Sequence, residues 1–533
     1  MASPTYSVLK ATAQRRQTER FAGKMRVVVQ DGHCARAVGS GEVLEALRKR
    51  WRGKAEIVAA GCDGACYLAP HIRFELSNGG WVERERVTPE QARRMALPAK
   101  ATSAGKIDPS LRSGNQQLQR RVLLADCGTA DAESIDDYLA RDGYAGLDKA
   151  LAMSPEQVID EVLRADLRGR GGAYFPAARK WQGARAVAKE PRYVVVNAEE
   201  GEPGAYKDRH LLEGDPHRLI EGLVIAGYAS NAAKGFIYVN AEADLSAERI
   251  ERAVAQAYEH GLLGKDVLGS GFAFEAEVRR GAGGYVCGEE TTLLNTIEGK
   301  RRVPRLRPPF PTEAGLWKRP TVINNVETLC NVAWIMANGA DAFMAIGKGS
   351  SGTKLVSLSG SVQWPGLVEV PMGMTLREIV YGIGGGALPG RRIVGVVAGG
   401  PSGGLLPESA LDVAIGPGKL HESGAVLGSG GLVVLDDSIS IAQVVRQLAA
   451  YNAAESCGKC TPCREGTPRM VEALDRLIGG KGSPNALDNL RYLVDVTGAA
   501  SLCGLGQMAG GPILSGLHFW GAEFARLAGV PRQ

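Results

Sequence analysis

The chain has 533 residues, of which 44% are hydrophobic and 23% charged, and its net charge is +5 at pH 7. This length predicts about three or four domains, and a small charge without a Lys/Arg run argues against a nucleic-acid partner. No apolar run reaches the roughly 18 residues of a membrane span, so we expect no direct membrane insertion. The N-terminus lacks a secretory signal, and ten cysteines at metal-like spacings favour a reducing, cytoplasmic location over a disulfide framework.

The first 97 residues predict a small α/β module that contains Cys34, Cys62 and Cys66. The pattern resembles the thioredoxin-like [2Fe–2S] domain, in which two cysteine pairs hold the cluster, but Val29 stands where the first ligand is expected. The module therefore either binds a [2Fe–2S] cluster with help from a further residue such as His33, or keeps the scaffold without a cluster. The predicted elements are strands at 26–30 and 55–60, a helix at 41–50 and a hairpin at 74–84 with its turn at 78–80.

Residues 98–139 have the composition of a linker, and a helix is predicted from Ser154, which has Pro155 at its first position. A glycine-rich loop follows at 167–176 (LRGRGGAYFP). Its glycines lack the GxGxxG spacing and follow a helix rather than a strand, so they are not a dinucleotide fingerprint. The loop remains a candidate for a different phosphate or ring.

Three carboxylates follow the apolar strand predicted at 192–197, in the segment AEEGEPG at 198–204. Ligands bind at the carboxyl ends of strands in an open α/β sheet. A solvated acidic turn is the alternative interpretation, but Asn197 and the adjacent glycines favour a functional cluster.

Two further segments of the same region suggest a ligand. One is a predicted strand at 272–279, which is followed by a glycine loop at 281–284 and by a helix that opens with CGEET (287–291). Such a helix start would present N–H groups to an anion. Glu289 and Glu290 also suit the helix dipole without a ligand, and we expect Cys287 to be packed. Asn324 and Asn325 offer amide groups to a heterocycle, or they form a turn or helix cap.

Residues 351–432 alternate short β-like pieces with Gly/Pro turns and predict a small β-grasp domain without chemistry of its own, whereas 433–533 are helical. The segment ESCGKCTPCREG (455–466) places Cys457, Cys460 and Cys463 on one loop, and Cys503 lies far along the chain. Three thiolates on one loop and a remote fourth are typical of a [4Fe–4S] cluster. A structural zinc site and an empty site are the alternatives, but zinc modules usually pair their cysteines as CxxC knuckles.

In this order, the motifs closely resemble the flavoprotein subunit of respiratory complex I and the diaphorase subunits of NAD-dependent formate dehydrogenases and bidirectional hydrogenases. The resemblance covers about residues 140–530 and rests on GRGGAxFP, NAxExEPG, CGEET, PPFP, NNVET and ESCGKCTPCREG, as they stand in this chain. It implies an α/β multidomain protein. The expected layout is a thioredoxin-like module (1–97), a linker (98–139), a Rossmann-like FMN/NAD-binding domain (140–350), an SLBB-like β-grasp domain (351–432) and a helical [4Fe–4S] domain (433–533).

The resemblance also implies roles for single residues, with no catalytic side chain because FMN accepts the hydride. NAD(H) would contact Phe175, Glu202 and Phe310, the aromatic rings stacking on adenine, and Lys180 would reach the FMN phosphate. The [4Fe–4S] ligands would be Cys457, Cys460, Cys463 and Cys503. The remaining cofactor-pocket residues would be Gly169, Arg170, Gly171, Gly172, Asn197, Glu199, Glu200, Gly288, Glu289, Glu290, Ile323, Asn324, Asn325 and Thr328.

The implied activity is hydride exchange between NAD(H) and FMN, with single electrons passing through the [4Fe–4S] cluster to or from partner subunits. The implied partners are a thioredoxin-like [2Fe–2S] subunit and a catalytic subunit that oxidises or reduces another substrate. Tyr174 replaces a family glycine, Glu199 a usual Asp and Arg307 a usual Lys, which bears on the choice between NAD and NADP. The alternatives are an iron–sulfur relay or scaffold that no longer binds nicotinamide, and a zinc-stabilised structural subunit.

Overall fold

The computed structural model describes residues 4–76, 80–98, 118–483 and 485–529. Their strands form three separate sheets, and helices cover the sheets and make up the C-terminal part. The prediction of an α/β multidomain protein is therefore confirmed. Within the described ranges, no helix combines the length and the apolar character that a membrane crossing requires.

The N-terminal module has a four-stranded sheet in the order β2-β1-β3-β4. Val29 lies in β1 and is fully buried in the core of this module, and the turn predicted at 78–80 lies largely outside the described residues. Helix α1 was not predicted. Only Leu9 and Ala13 along its length are buried, so its sequence has little of the apolar pattern that marks a helix. The elements are α1 (Tyr6–Phe21), β1 (Met25–Gln30), α2 (His33–Arg36), α3 (Ser40–Arg50), β2 (Ala55–Ala60), β3 (Ile72–Glu75), β4 (Trp81–Arg84) and α4 (Pro89–Arg94).

The predicted linker at 98–139 needs correction where the structure describes it. Residues 99–117 lie outside the described ranges, but Val122, Leu123 and Leu124 are buried in the main core. Their backbone N–H groups all donate to the carboxylate of Glu369, at 2.8–3.0 Å. Burial of this segment and its hydrogen bonds hold residues 118–139 in place, so they do not form a tether.

The central domain contains four parallel strands in the order β7-β6-β5-β8. Strands that are buried on both faces appear in the sequence as continuous apolar runs, as at Val194–Val196. Their carboxyl ends meet at one edge of the sheet. The elements are α5 (Ile135–Ala140), α6 (Ala145–Leu151), α7 (Pro155–Arg164), α8 (Ala177–Ala186), β5 (Tyr193–Ala198), α9 (Lys207–Gly214), α10 (Pro216–Ser230), β6 (Lys234–Val239), α11 (Asp244–Glu259), β7 (Glu275–Arg280), α12 (Glu290–Ile297), α13 (Pro311–Ala314), β8 (Thr321–Asn325), α14 (Val326–Asn338) and α15 (Ala340–Met344).

Helix caps in the central domain follow the sequence signals in one case and not in another. Ser154 caps α7 and forms a capping box with Gln157, as its sequence position predicts. The sequence pattern also predicts a helix at 246–263 with Ser246 as its cap, but α11 begins at Asp244, so Ser246 does not cap it. The Ser246 hydroxyl instead donates to the buried carboxylate of Glu213 at 3.0 Å.

A five-stranded sheet in the order β10-β9-β13-β11-β12 forms the next domain. The predicted boundary after residue 432 falls inside β13, which pairs in parallel with β9, so the domain extends to Asp436. The sequence pattern also predicts a helix at 375–382, where the structure has a π-helical turn at Glu378–Ile383. The elements are β9 (Thr353–Gly360), β10 (Gly366–Pro371), β11 (Ile393–Ala398), β12 (Gly404–Pro407), α16 (Lys419–Glu422) and β13 (Gly431–Asp436).

The C-terminal part is helical and places the four predicted cluster cysteines at helix N-termini and the loop between helices. Cys460 directly precedes α18, and Cys503 directly precedes α20. Because α19 packs on α18 and on α20, Cys503 reaches the 457–463 loop. The elements are α17 (Ile441–Ala454), α18 (Thr461–Ile478), α19 (Ala486–Ala500), α20 (Gly504–Met508), α21 (Gly511–Phe519) and α22 (Gly521–Leu527).

Candidate active site

A cavity of about 390 Å³ lies at the carboxyl end of the parallel sheet. The loop after β5 and the loop before α12 form two of its walls, as expected for a ligand site in an open α/β sheet. The structure therefore brings half of the predicted pocket residues around one space. These are Gly171, Gly172, Asn197, Glu199, Glu200, Glu202, Gly288, Glu289 and Asn325.

Glycines bring the backbone close to this cavity. Gly172 has φ +116°, and a Cβ there would lie 3.1 Å from the carbonyl carbon of Gly428. A Cβ at Gly288 would lie 3.3 Å from the carbonyl oxygen of Glu199. Side chains at these two positions would crowd the walls, whereas bare backbone can approach a flat ring or a phosphate. The cavity therefore has the volume and the bare backbone walls that a flat ring such as the flavin of FMN requires.

Glu199 is buried beside the cavity and only partly hydrogen bonded. Its Oε1 accepts from the Nδ2 of Asn240 at 2.6 Å, while its Oε2 has no partner. Burial raises the pKa of Glu199 to about 7, the Asn240 hydrogen bond opposes this, and the charges of Glu242 and Glu455 add to it. An unpartnered buried carboxyl oxygen on the cavity wall is consistent with a cofactor that supplies the missing partner.

We expect Glu199→Gln to change how stability depends on pH. In the folded chain the Glu199 pKa is raised to about 7, so the stabilisation from its protonated form is lost as pH rises from the unfolded pKa towards that value. The free energy of unfolding of Glu199→Gln, relative to that of the wild type, should therefore rise by about 1–2 kcal/mol between about pH 5.5 and pH 8. Thermal unfolding at both pH values measures this, with exposed Glu259→Gln as control. An equal pH dependence of both proteins would contradict the expected titration.

The other predicted carboxylates on the cavity wall bind their own chain. Glu200 accepts the N–H groups of Asp208 and Arg209 at the start of α9, at 3.0–3.1 Å. Glu289 caps α12 by accepting two backbone N–H groups. Glu202 accepts from the N–H and hydroxyl of Ser429 and from the N–H of Gly431. These side chains shape the cavity walls by fixing helix starts and the 429–431 loop.

Several predicted cofactor residues do not line the cavity. Arg170 is fully buried, and its guanidinium donates to the carbonyl oxygens of Arg168, Ser351 and Thr353, at 2.7–3.0 Å. Its role in the structure is therefore to join the glycine loop to the five-stranded domain. Thr328 accepts the N–H of Arg170, and Gly169 donates to the carbonyl of Phe175, both at 2.9 Å.

The predicted phosphate lysine also has partners within the chain. The Lys180 ammonium donates to the carbonyl of Ile323 at 3.1 Å and to Glu290 at 3.3 Å. Asn324 accepts the indole N–H of Trp181 at 3.0 Å. Phe175 and Phe310 are both 51% exposed and lie outside the cavity wall.

Sequence reasoning missed several residues that line the cavity. Asp208 comes from α9, Leu505 and Met508 come from α20, and Tyr285 and Val286 precede α12. We expected no chemistry from the five-stranded domain, yet two of its loops contribute wall residues. These are Gly399, Ser402, Val426, Gly428 and Ser429. No local motif signals them, because they reach the cavity only through the packing of this domain on the central one.

Tyr174, which replaces a family glycine, is not a wall residue of the cavity. Its backbone has φ +52°, a conformation that favours glycine, and its buried hydroxyl has no hydrogen-bond partner. Burial raises the pKa of Tyr174 to about 12. Its bulk therefore does not narrow this cavity.

A buried network of ion pairs lies next to the cavity and includes the wall residue Asp208. Lys354 donates to Glu327 at 2.5 Å, Lys207 lies 3.3 Å from Glu327, and Lys207 donates to Asp208 at 2.6 Å. Burial alone would raise the pKa of Glu327, but the charges of Lys354 and Lys207 lower it. Asp208 also accepts from Asn325 at 2.7 Å. The network thus connects wall residues on α9 and β8 to the five-stranded domain.

The four C-terminal cysteines surround a second, smaller cavity, which is also lined by apolar side chains. Cys463 and Cys503 are each 5% exposed, and the Cys463 sulfur lies 3.2 Å from the Ser456 hydroxyl. Four buried or half-buried thiols without disulfides form the donor set that an iron–sulfur cluster requires. The residues present therefore fit a [4Fe–4S] cluster.

Two residues separate the two cavities. Val286 and Leu505 line both the large cavity and the cysteine cavity. Both side chains are at least 90% buried. A flavin in the first site and a cluster in the second would therefore be divided by a single apolar layer.

The N-terminal cysteines lie beside the central domain. Cys62, Cys66 and His210 form a group whose ligand atoms all lie within 4.8 Å of one another. His33, which we considered as an additional ligand, has an exposed side chain. The residue that the structure brings to these cysteines is His210 of α9, 144 positions from Cys66, and sequence spacing gives no indication of it.

Comparisons with known proteins agree with this arrangement. The Nuo51 FMN-binding domain matches residues 162–334, the SLBB domain 355–406, and the NADH-ubiquinone oxidoreductase-F iron–sulfur binding region 443–527. HndC, a subunit of the NADP-reducing hydrogenase of Solidesulfovibrio fructosivorans, is 46% identical over 410 residues, 77% of this chain and 84% of HndC. An NADH-quinone oxidoreductase subunit of Rhizobium meliloti is 44% identical over 405 residues, 76% of this chain and 96% of that protein.

A solved structure is also similar over nearly the whole chain. A chain of the NAD⁺-reducing [NiFe]-hydrogenase in its air-oxidised state superposes with a TM-score of 0.68 at 28% identity, covering 98% of this chain and 92% of that chain. The resemblance inferred from the motifs is thereby confirmed. The chain belongs to the family of FMN-binding, [4Fe–4S]-containing subunits of NADH-quinone oxidoreductases and related hydrogenases.

Proposed function

We propose that the chain is a diaphorase subunit that exchanges hydride between NAD(H) and FMN and passes single electrons through a [4Fe–4S] cluster. The observation that carries this proposal is the shared wall of the two cavities, formed by Val286 and Leu505. The glycine-lined cavity fits a flavin, and the four thiols fit a cluster. Membership of the family supports both cofactors.

When bound, FMN would supply two-electron hydride chemistry and the cluster one-electron transfer, so the protein contributes binding, orientation and exclusion of water. Gly172 and Gly288 let the backbone contact the cofactor directly. Val286 and Leu505 keep water out of the space between the two sites. Burial raises the pKa of Glu199 to about 7, so its carboxyl on the cavity wall can take up or release a proton near neutral pH.

The proposed nicotinamide site includes Phe175, Phe310 and Glu202. Phe175 lies just before α8, and Phe310 caps α13. Helix α8 packs against α13, and both rings are exposed. Exposed aromatic side chains on a rigid frame are suitable for stacking on adenine. We propose NAD(H) as the nicotinamide substrate.

We expect Glu202→Ala to lower NADH turnover by at least about 10-fold while FMN and iron stay bound. The carboxylate accepts three hydrogen bonds from Ser429 and Gly431, and their loss releases the 428–431 loop from the cavity wall. The matched variant Glu202→Gln keeps one acceptor and should lose less. NADH-linked dye reduction measures the rates. Wild-type turnover in the Ala variant would disprove the role of Glu202.

We further propose the domain layout and the setting of the chain. The N-terminal module is thioredoxin-like, the central domain Rossmann-like and the five-stranded domain a β-grasp fold. The partners are a thioredoxin-like [2Fe–2S] subunit and a donor or acceptor catalytic subunit of a larger redox complex. A cytoplasmic location is supported by cysteines at metal-like spacings. The [2Fe–2S] cluster at Cys34, Cys62 and Cys66 stays a prediction, and the geometry below favours a smaller occupant.

Analysis of the cofactors tests the proposed function against the scaffold alternative, which the family comparisons do not support. Anaerobically purified protein should release FMN and contain about four irons at the C-terminal site. NADH should bleach the flavin absorption band faster than NADPH does. A brown sample that does not respond to either nucleotide would support the scaffold instead.

A further inference from the structure

Two cysteines of the N-terminal module and one histidine of the central domain converge on one point, and a third cysteine lies on the adjacent helix α2. The sulfurs of Cys62 and Cys66 and a ring nitrogen of His210 all lie within 4.8 Å of one another, and Cys66 Sγ is 3.8 Å from His210 Nε2. A Cβ on Gly32 would lie 3.4 Å from the Cβ of Cys62, so the start of α2, which carries Cys34, lies beside this group. We propose that Cys34, Cys62, Cys66 and His210 bind a single zinc-type divalent ion that fastens the N-terminal module to α9.

The orientation of His210 is that of a metal ligand. Its Nδ1 lies 2.9 Å from the carbonyl oxygen of Tyr206 and donates its proton there. This leaves the lone pair of Nε2 directed at the cysteines, and the ring is 5% exposed. Metal-binding histidines usually fix their second nitrogen on such an acceptor. The imidazole is thus already held in the tautomer that zinc requires.

The thiols are also held for coordination. Cys62 is buried, and its sulfur accepts the N–H of Gly64 at 3.4 Å. Cys34, by contrast, is exposed. Such N–H contacts stabilise a thiolate, which is the form that binds metal. Binding would release the thiol protons, and three thiolates with one divalent ion leave a net charge of −1 beside Arg209.

The spacing favours one metal ion over a two-iron cluster. With Zn–S of about 2.3 Å and Zn–N of about 2.0–2.1 Å, the edge of a tetrahedral site is about 3.6 Å. The 3.8 Å between Cys66 and His210 is close to this edge. A two-iron cluster divides its ligands between two metals and spreads them further apart. Among the described residues, no three of the C-terminal cluster cysteines come within 4.8 Å in this way.

The surroundings show that the two domains meet closely at this point. A Cβ on Gly61 would lie 2.2 Å from the Cα of Gly214 at the end of α9. The backbone N–H of His33 donates to Glu213 at 2.7 Å, and buried Asp31 pairs with Arg249 at 3.2 Å. Because α9 also carries Asp208 of the cavity wall, the ion would anchor the module to the helix that borders the flavin site. This inference does not depend on the proposed function.

Metal analysis of the full-length holoprotein, purified without metal-affinity resin, tests the proposal. We expect about one zinc per chain in addition to about four irons, and resistance of that zinc to EDTA. His210→Ala should lower the zinc content at least about 10-fold. The control His33→Ala, which changes the exposed neighbour of Cys34, should keep it. Protein grown with cobalt should show an intense thiolate-to-cobalt absorption that His210→Ala removes.

Three results would overturn the proposal. About six irons without zinc would show that the module binds a [2Fe–2S] cluster instead. Four irons and no divalent ion would show an empty scaffold. Zinc that survives in both His210→Ala and Cys34→Ser would place it elsewhere. Because Cys34 is exposed, Cys34→Ser should fold even if His210→Ala does not. Cys34→Ser should lose its zinc to EDTA at least about 10-fold faster than the wild type does.

Discussion

Cys457→Ser should lose nearly all of the iron bound at the C-terminal site while FMN remains bound. Cys457 is one of three thiols on a single loop, and Cys503 completes the set. A serine hydroxyl is a poor iron ligand, so three thiols cannot retain the cluster. Because Cys457 is only half-buried, the fold should tolerate the change. The variant should therefore lose only single-electron transfer through the cluster.

The measurements are iron content, the EPR signal of the reduced protein and the flavin absorption band. In Cys457→Ser, NADH should still bleach the flavin, but the cluster signal should be absent. The control Cys330→Ala removes a buried thiol of α14 that is remote from both cavities and should keep about four irons. Four irons in Cys457→Ser would show that this residue is not a ligand.

Glu327→Ala should destabilise the protein by about 3–5 kcal/mol, the cost of leaving buried charges unpaired. Glu327 is fully buried between Lys354 and Lys207. Without it, Lys354 would lose its counter-charge and Lys207 would keep only Asp208. Its other oxygen accepts the N–H of Leu355 at 2.8 Å, and this contact would also be lost. The network borders the cavity, so FMN affinity should fall as well.

Chemical denaturation and FMN retention on gel filtration measure the effect of Glu327→Ala. The control Asp488→Ala breaks an exposed ion pair with Arg491 and should cost less than about 1 kcal/mol. If both variants unfold at the same denaturant concentration, the buried network does not contribute as its geometry implies.

The sequence predicts features that depend on local pattern. The apolar run at Val194–Val196 indicates a buried parallel strand, and Ser154 with Pro155 and Gln157 indicates the start of α7. The spacing of Cys457, Cys460 and Cys463 indicates a cluster loop without knowledge of the fold. Each of these signals involves residues within about one helical turn or one strand, where local geometry decides.

Features that depend on long-range packing could not be predicted in this way. His210 meets Cys66 only because α9 packs on the N-terminal module, and Gly428 meets Gly172 only because two domains are in contact. Arg170 illustrates the opposite error. The resemblance places Arg170 in the cofactor pocket, but its guanidinium donates to three carbonyl groups of its own chain.

The central claim is that hydride from NADH enters the glycine-lined cavity and leaves as single electrons across Val286 and Leu505. Anaerobic titration of the wild-type holoprotein with NADH, followed by absorption and low-temperature EPR, tests it most directly. We predict that the flavin band bleaches and that the signal of a reduced [4Fe–4S] cluster appears in the same titration. A flavin and a cluster that both stay oxidised in excess NADH would contradict the account.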